Sequence, residues 1–111
     1  TVFSIERVAQ LHERAARALA ETGFGSVTLR LADGSRGWPE EAPFDRIIVT
    51  AAASAVPIAL REQLGDHGIL VAPVGDDRSQ IVRRYREKGS EFEVEDIEGV
   101  RFVPLIEDPE P

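Results

Sequence analysis

The clearest structural pattern in the chain runs from Ile47 to Val74, with the sequence IIVTAAASAVPIALREQLGDHGILVAPV. It begins with the β-branched run Ile47–Val49 and ends with the apolar run Ile69–Val74. Strands that are buried on both faces of a parallel sheet have this composition. Ser54 is placed to cap a short helix between the two runs. The stretch therefore predicts a β-α-β unit, with Gly65–Gly68 as the turn into the second strand.

A similar strand and helix pattern lies upstream. Thr1–Ile5 is strand-like, and apolar side chains in residues 6–22 recur at the spacing of an amphipathic helix, which Gly23 ends. Val27–Leu31 alternates apolar and polar residues, as half-buried strands do. Strands that alternate with helices predict an α/β fold, a doubly wound and mostly parallel sheet with right-handed crossovers.

The last third of the chain has a different pattern. Residues 80–86 are basic and residues 91–97 are acidic, and together they predict an antiparallel hairpin with opposite charges facing each other. The extended piece Arg101–Leu105 follows. We assign residues 1–106 to one domain and expect residues 107–111 to form a flexible acidic tail.

The composition argues against several classes of protein. The net charge of −7 argues against binding to nucleic-acid phosphates. No apolar run approaches the ~20 residues that span a bilayer, so a membrane is not an expected partner. The chain has no cysteine and only two, widely separated histidines, so we expect no metal. A cysteine-free chain is compatible with a reducing compartment, and we expect a cytoplasmic location.

Two acids follow neighbouring predicted strands. Glu6 ends the first strand and Asp33 follows the second, and ligands of open α/β sheets bind beyond the carboxyl ends of the strands. Such a carboxylate either stabilises a helix N-terminus or accepts hydrogen bonds from ribose hydroxyls. An Asp-Gly pair alone is most often a turn. Together the two acids favour an adenosine site, although these residues contain no glycine-rich phosphate loop.

Several segments together resemble one family, the protein-L-isoaspartate O-methyltransferases. The matching segments are Val2–Arg7, Leu31–Gly34, Glu40–Ala53, Val56-Pro57, Leu64-Gly65, Gly68, Leu70, Pro73–Gly75 and Val100–Leu105. The most specific are the block from PFD to TAAA and the VPL ending. The resemblance implies a Rossmann-like fold that uses S-adenosyl-L-methionine and releases S-adenosyl-L-homocysteine. It also implies methylation of the isoaspartyl carboxylates that asparagine deamidation and aspartate isomerisation leave in damaged proteins, which begins their repair.

The resemblance further implies which residues form the site. Glu6 would hold the ribose hydroxyls of the cofactor, and Asp33-Gly34 would lie beside the adenine. Thr50-Ala51 would line the floor near the methionine part. Val103-Pro104-Leu105 would bind the backbone of the isoaspartyl peptide. Family members commonly have a threonine after that leucine, whereas this chain has Ile106.

No catalytic side chain is assigned, and the implied chemistry does not require one. The substrate carboxylate is already a nucleophile at neutral pH, and the sulfonium methyl group is already activated. Alignment of the two can supply roughly 7–11 kcal/mol of the barrier without a general base.

The resemblance also implies that a glycine-rich loop and a central first strand precede Thr1. We therefore expect the 111 residues to be the C-terminal part of a methyltransferase domain, inactive alone, with open sheet edges that permit self-association. Two alternatives stay open. One is a related methyltransferase that acts on a different peptide carboxylate, and the other is a truncated, non-catalytic module that binds a partner.

Overall fold

The computed structural model describes residues 1–89 and 91–108 and divides the chain into two units. One unit contains residues 1–34 and the chain from Ile106, and the other contains residues 35–105. The elements in chain order are β1 (Phe3–Glu6), α1 (Ala9–Glu21), β2 (Thr28–Leu31), β3 (Phe44–Ile48), α2 (Ile58–Glu62), β4 (Leu64–Gly75), β5 (Gln80–Lys88) and β6 (Glu91–Val100), with short 3-10 helices at Gly34–Arg36 and Pro39–Glu41. This order of strands and helices confirms the prediction.

The first unit is built on a parallel pair of strands. β1 and β2 pair in register from Phe3 opposite Thr28 to Glu6 opposite Leu31. The connection contains α1, which is rich in alanine and arginine and therefore helical by propensity. Gly23 follows the helix with φ +88°, the left-handed conformation that glycine adopts at helix ends.

The second unit contains a four-stranded mixed sheet. Its strand order is β3-β4-β5-β6. β3 and β4 are parallel, whereas β4–β5 and β5–β6 are antiparallel, so the predicted hairpin is confirmed. β1–β2 forms a separate pair of strands. A central strand from residues before Thr1 stays a prediction.

A small apolar core lies on the second unit's sheet. α2 places Leu60 in this core, and Leu70 of β4 is the one described side chain that is completely buried. The other core members are Val56, Leu64, Ala72, Val74 and Tyr85, with Ile47, Val49 and Phe92 packed against them. The core is formed by the two runs that predicted the β-α-β unit and by the hairpin, because β4 is shared between the parallel and antiparallel pairs.

The predicted turn at Gly65–Gly68 is wrong, because these residues lie inside β4. They form a bulge, since the pairing moves from Phe44 opposite Leu64 to Arg46 opposite Ile69. A Cβ atom on Gly68 would lie 2.8 Å from the Gly65 carbonyl oxygen, so only glycine permits the close approach. Bulges and turns favour the same residues, and the sequence alone does not separate them.

Two further predictions about the β-α-β unit are wrong. Ile48 is 75% exposed, so the run in β3 is not buried on both faces among the described residues. Ser54 does not cap α2, because the helix begins only at Ile58 and Ser54 is too far away along the chain to reach its first turn. Pro57 occupies the capping position, without a side-chain hydrogen bond.

The hairpin carries the predicted opposite charges in contact. Arg83 Nε lies 2.6 Å from Asp96 Oδ1, and Lys88 Nζ lies 2.7 Å from Glu93 Oε2. The hydrogen bond from Arg83 holds the pKa of Asp96 below its usual value, and the hydrogen bond from Lys88 does the same for the pKa of Glu93. Arg84 and Glu95 form a third pair. These pairs favour the register of β5 against β6.

We expect acid to weaken the folded state through these carboxylates. In the unfolded chain they take up protons at the ordinary pKa values, 4.5 for Glu93 and 3.8 for Asp96, whereas in the folded chain they do so only at lower pH. Their stabilisation is therefore present above the ordinary values and is lost as the pH falls through the lowered, folded-state pKa values.

Urea unfolding of the full-length protein between pH ~6 and pH ~3 measures this loss. Asp96→Asn removes one of the titrating groups, so its urea midpoint should fall less over the same pH range than that of the unsubstituted protein. An equal fall in both proteins would contradict the assignment.

Candidate functional site

Glu6 lies where β1 ends and is half-buried. Its Oε2 accepts a hydrogen bond of 3.0 Å from the backbone N–H of Val8, which is the capping residue of α1. One oxygen of the carboxylate therefore serves the helix N-terminus, one of the two roles predicted for this residue. The contact also fixes the position of the carboxylate at the strand end. The contact with ribose hydroxyls stays a prediction.

Asp33 lies just beyond β2 and is 95% buried, with 5% of its surface exposed. Its Oδ2 accepts a hydrogen bond of 3.0 Å from the N–H of Asp108. The Asp108 carboxylate in turn lies 2.5 Å from Arg7. Asp108 of the predicted tail 107–111 therefore bonds to other residues within the first unit, and residues 109–111 lie outside the described residues. Neither contact of Asp108 is predictable from the local sequence, because its partners Arg7 and Asp33 are far away along the chain.

The structure brings the two acids to the carboxyl-terminal end of the β1–β2 pair. Glu6 is opposite Leu31, and the N–H of Ala32 donates to the Glu6 carbonyl at 3.0 Å. Asp33-Gly34 follows directly. The predicted placement of both acids at neighbouring strand ends is confirmed. Two carboxylates at the carboxyl ends of neighbouring strands suit a ligand that offers hydroxyl and amino hydrogens.

Thr50-Ala51 follows β3 and leads into a backbone bridge with the C-terminal segment. Thr50 is exposed, and Ala51 is half-buried. Ala52 donates its N–H to the Val103 carbonyl at 2.7 Å and accepts the N–H of Leu105 at 2.7 Å. Ala52 and Pro104 thus form an isolated parallel bridge. The chain after β3 and the segment Val103-Pro104-Leu105 are neighbours in the second unit.

Gln80 is a buried residue of this region that the sequence interpretation missed. It begins β5, and its side-chain amide bonds to both the N–H and the carbonyl of Phe102. A polar side chain at the start of a basic strand is expected to face solvent, so the local pattern does not predict its burial.

Gln63 holds a second loop in a similar way. Its Oε1 accepts the N–H of Trp38 at 2.8 Å, and its Nε2 donates to the Arg36 carbonyl at 3.0 Å. Gly37 lies between them with φ +63°, and a Cβ atom there would lie 2.2 Å from Gln63 Oε1. The loop that carries Trp38 is therefore set by a glycine and one buried amide.

Residues 1–89 and 91–108 contain neither a candidate metal cluster nor a candidate membrane-spanning helix. Within these ranges no group of three or more histidine, cysteine, aspartate or glutamate side chains could hold a metal ion. None of the helices in the same ranges has the length and apolarity that crossing a bilayer requires.

Comparison with known sequences gives one family. The family model described as protein-L-isoaspartate(D-aspartate) O-methyltransferase matches residues 1–110. A relative from Cronobacter sakazakii with the name protein-L-isoaspartate O-methyltransferase is 48% identical over 95% of this chain and 50% of its own length. A relative of the same name from Chromohalobacter salexigens is 50% identical over 96% of this chain and 47% of its own. The chain thus spans about half the length of these curated relatives.

Comparison with solved structures agrees. A protein-L-isoaspartate O-methyltransferase matches with a TM-score of 0.84 and 28% identity, over 93% of this chain and 33% of that one. A Plasmodium falciparum protein of the same description, solved in complex with S-adenosyl-L-homocysteine, matches with a TM-score of 0.83 and 23% identity. It is covered over 53% of its length, against 96% of this chain. At that identity the second match shows the fold alone, the Rossmann-like methyltransferase fold that the sequence predicted.

Proposed function

The chain belongs to the protein-L-isoaspartate(D-aspartate) O-methyltransferase family, and on this premise we propose that the protein methylates the carboxylate of L-isoaspartyl residues in damaged proteins and peptides. The observation that carries the proposal is the match of the family model to residues 1–110. Because the chain spans about half of its curated relatives, the reaction is proposed for the full-length protein.

We propose that the first unit supplies contacts to the adenosine of S-adenosyl-L-methionine. Glu6 would accept hydrogen bonds from the ribose hydroxyls, and Asp33-Gly34 would lie beside the adenine. The support is geometric, because both acids lie at the carboxyl ends of neighbouring strands and the Val8 N–H fixes the carboxylate of Glu6. Fixed carboxylate acceptors lose little freedom on binding, which favours affinity.

We propose further contacts for two segments that follow β3 and β6. Thr50-Ala51 would line the methionine part of the cofactor, and Val103-Pro104-Leu105 would bind the peptide backbone. The bridge between Ala52 and Pro104 supports this assignment because it holds both segments in one place. Ile106 stands where family members commonly have threonine, so the proposal includes no hydroxyl contact there.

The residues have a positioning task in this reaction. When bound, S-adenosyl-L-methionine supplies an activated methyl group, and the isoaspartyl carboxylate supplies the attacking oxygen. The chain needs only to hold the peptide at the correct distance and angle and to keep water away. This account needs no general base and no metal.

Methyl transfer from radiolabelled S-adenosyl-L-methionine tests the proposal on the full-length protein. The substrate is an isoaspartyl peptide, and the matched control is the same peptide with ordinary aspartate. Transfer to the isoaspartyl peptide alone supports the proposal. Cofactor binding without transfer to it favours a related enzyme for another peptide carboxylate. If the protein neither binds the cofactor nor transfers methyl, a non-catalytic binding module is favoured.

Glu6→Ala is expected to weaken binding of S-adenosyl-L-homocysteine by about 1.5–3 kcal/mol, the scale of a hydrogen bond to a charged group. Calorimetry on the full-length protein measures this loss. Glu13→Ala is the matched control, since it removes an exposed carboxylate of α1 that pairs with Arg17. Unchanged affinity in folded Glu6→Ala would remove Glu6 from the site.

We further propose a cytoplasmic location and self-association through an open sheet edge, with neither nucleic acid nor membrane as a partner. The charge of −7 supports the exclusion of nucleic acid. The position of β3 at one end of its sheet in the described residues supports the association, because an unpaired strand edge can pair with another chain. Sedimentation of the 111-residue chain that finds only monomer at every concentration would remove the self-association.

A further inference from the structure

We propose that Gln80 is a positioning residue for peptide binding, and that it does this by fixing the backbone of Phe102 at the start of the segment Val103-Pro104-Leu105. This inference rests on the proposed function of that segment. Gln80 Oε1 accepts the N–H of Phe102 at 2.6 Å, and Gln80 Nε2 donates to the Phe102 carbonyl at 3.1 Å. One side-chain amide therefore pairs with Phe102 as the backbone of a neighbouring strand would.

The orientation of the Gln80 amide is fixed by a third contact. Its Nε2 also donates to the Asp76 carbonyl at 3.2 Å. The amino group thus faces two carbonyl oxygens, and the amide oxygen faces an N–H donor. A glutamate at this position would set carboxylate oxygens against both carbonyls. Because Gln80 is 9% exposed, water offers little compensation.

The turn before β5 holds Gln80 in place. Asp76 Oδ1 accepts the N–H of Arg78 at 2.8 Å and the N–H of Ser79 at 2.9 Å. These backbone hydrogen bonds lower the pKa of Asp76 below its usual value. The Asp76 N–H closes the turn by donating to the Ser79 carbonyl at 3.0 Å. Gln80, which holds Phe102, therefore follows a closed turn and not a free loop.

The peptide-binding segment is held from two sides as a result. Gln80 holds Phe102, while Ala52 binds the Val103 carbonyl and the Leu105 N–H. The side chain of Val103 is nevertheless 69% exposed. A backbone that is already ordered, with its side chains accessible, can bind a peptide without a further ordering cost. Loss of the Gln80 amide should therefore weaken peptide binding, because the segment would then have to be ordered when the peptide binds.

Gln80→Glu tests the inference in the full-length protein, because glutamate keeps the size and the acceptor but loses both donors. We expect the KM for an isoaspartyl peptide to rise about tenfold, which corresponds to the loss of about one hydrogen bond. The kcat and the affinity for S-adenosyl-L-homocysteine should change less than about twofold, since the hydrogen-bond partners of Gln80, Asp76 and Phe102, are not among the proposed cofactor residues. Gln80→Leu, of similar volume, replaces it if the first variant does not fold.

Tyr85→Leu is the control for a merely structural role. Tyr85 lies in the same strand, is 8% exposed and belongs to the apolar core. Its replacement should lower the melting temperature and leave the peptide KM unchanged. If both Gln80 variants fold and keep the parent's peptide KM, the inference is overturned.

Amide hydrogen exchange separates failure of the inference from failure of the proposed function. In Gln80→Glu the amide of Leu105 should exchange faster than in the parent protein and in Tyr85→Leu, whatever the substrate is. Unchanged exchange at Leu105 overturns the positioning role. Faster exchange in a protein that does not methylate isoaspartyl peptides leaves the positioning role in place and removes the proposed substrate.

Discussion

Leu70→Ala is expected to lower the free energy of unfolding by about 3–5 kcal/mol. Leu70 is completely buried in β4, opposite Ile47 on one side and Tyr85 on the other. Both neighbouring strands hold its backbone, so the surroundings cannot collapse into the space that alanine leaves. The lost transfer free energy and the cavity therefore add.

Urea unfolding of the full-length protein, monitored by circular dichroism, measures the change. Ile58→Ala is the matched control, because Ile58 begins α2 and is 63% exposed. This control should stay within about 0.5–1 kcal/mol of the parent protein. If the two substitutions cost the same, Leu70 is not the centre of the core.

Gly75→Ala is expected to lower the free energy of unfolding by about 3–5 kcal/mol, because backbone strain and steric overlap add. Gly75 has φ +145°, and a Cβ atom there would lie 2.0 Å from the Ser79 carbonyl oxygen and 2.7 Å from the Gln80 Cα. Both atoms belong to the backbone, so neither can move aside by changing a rotamer. The turn must open to accept the methyl group.

Gly89→Ala is the matched control, because it introduces backbone strain without steric overlap. Gly89 also has a positive φ, +65°, but no described atom beyond its chain neighbours lies within 4 Å of the position that a Cβ atom would take. Its replacement should cost only about 1–2 kcal/mol. Thermal unfolding of both variants gives the comparison. Equal losses would mean that the turn before β5 is not as tight as the structure shows.

The order of the elements was predictable because hydrophobic periodicity reports which face of a strand or helix is buried. The placement of the two acids of the proposed site was predictable for a related reason, since the carboxyl ends of neighbouring parallel strands lie side by side. The bulge at Gly65–Gly68 was not, because turn-forming residues also permit bulges. The side-chain amides of Gln63 and Gln80 form hydrogen bonds with backbone groups that lie 22 to 27 residues away along the chain. No local pattern contains such contacts.

The charges of β6 have a consequence for how the polypeptide behaves among other polypeptides. In the part of the chain that the structure describes, β6 is the last strand of its sheet, and its acidic residues are Glu91, Glu93, Glu95, Asp96 and Glu98. An unpaired strand edge is a template for fibril growth. Addition of a second β6 would set carboxylates beside carboxylates, and only some of them are neutralised by β5. A protein proposed to act on damaged proteins thus carries its own barrier to joining their aggregates.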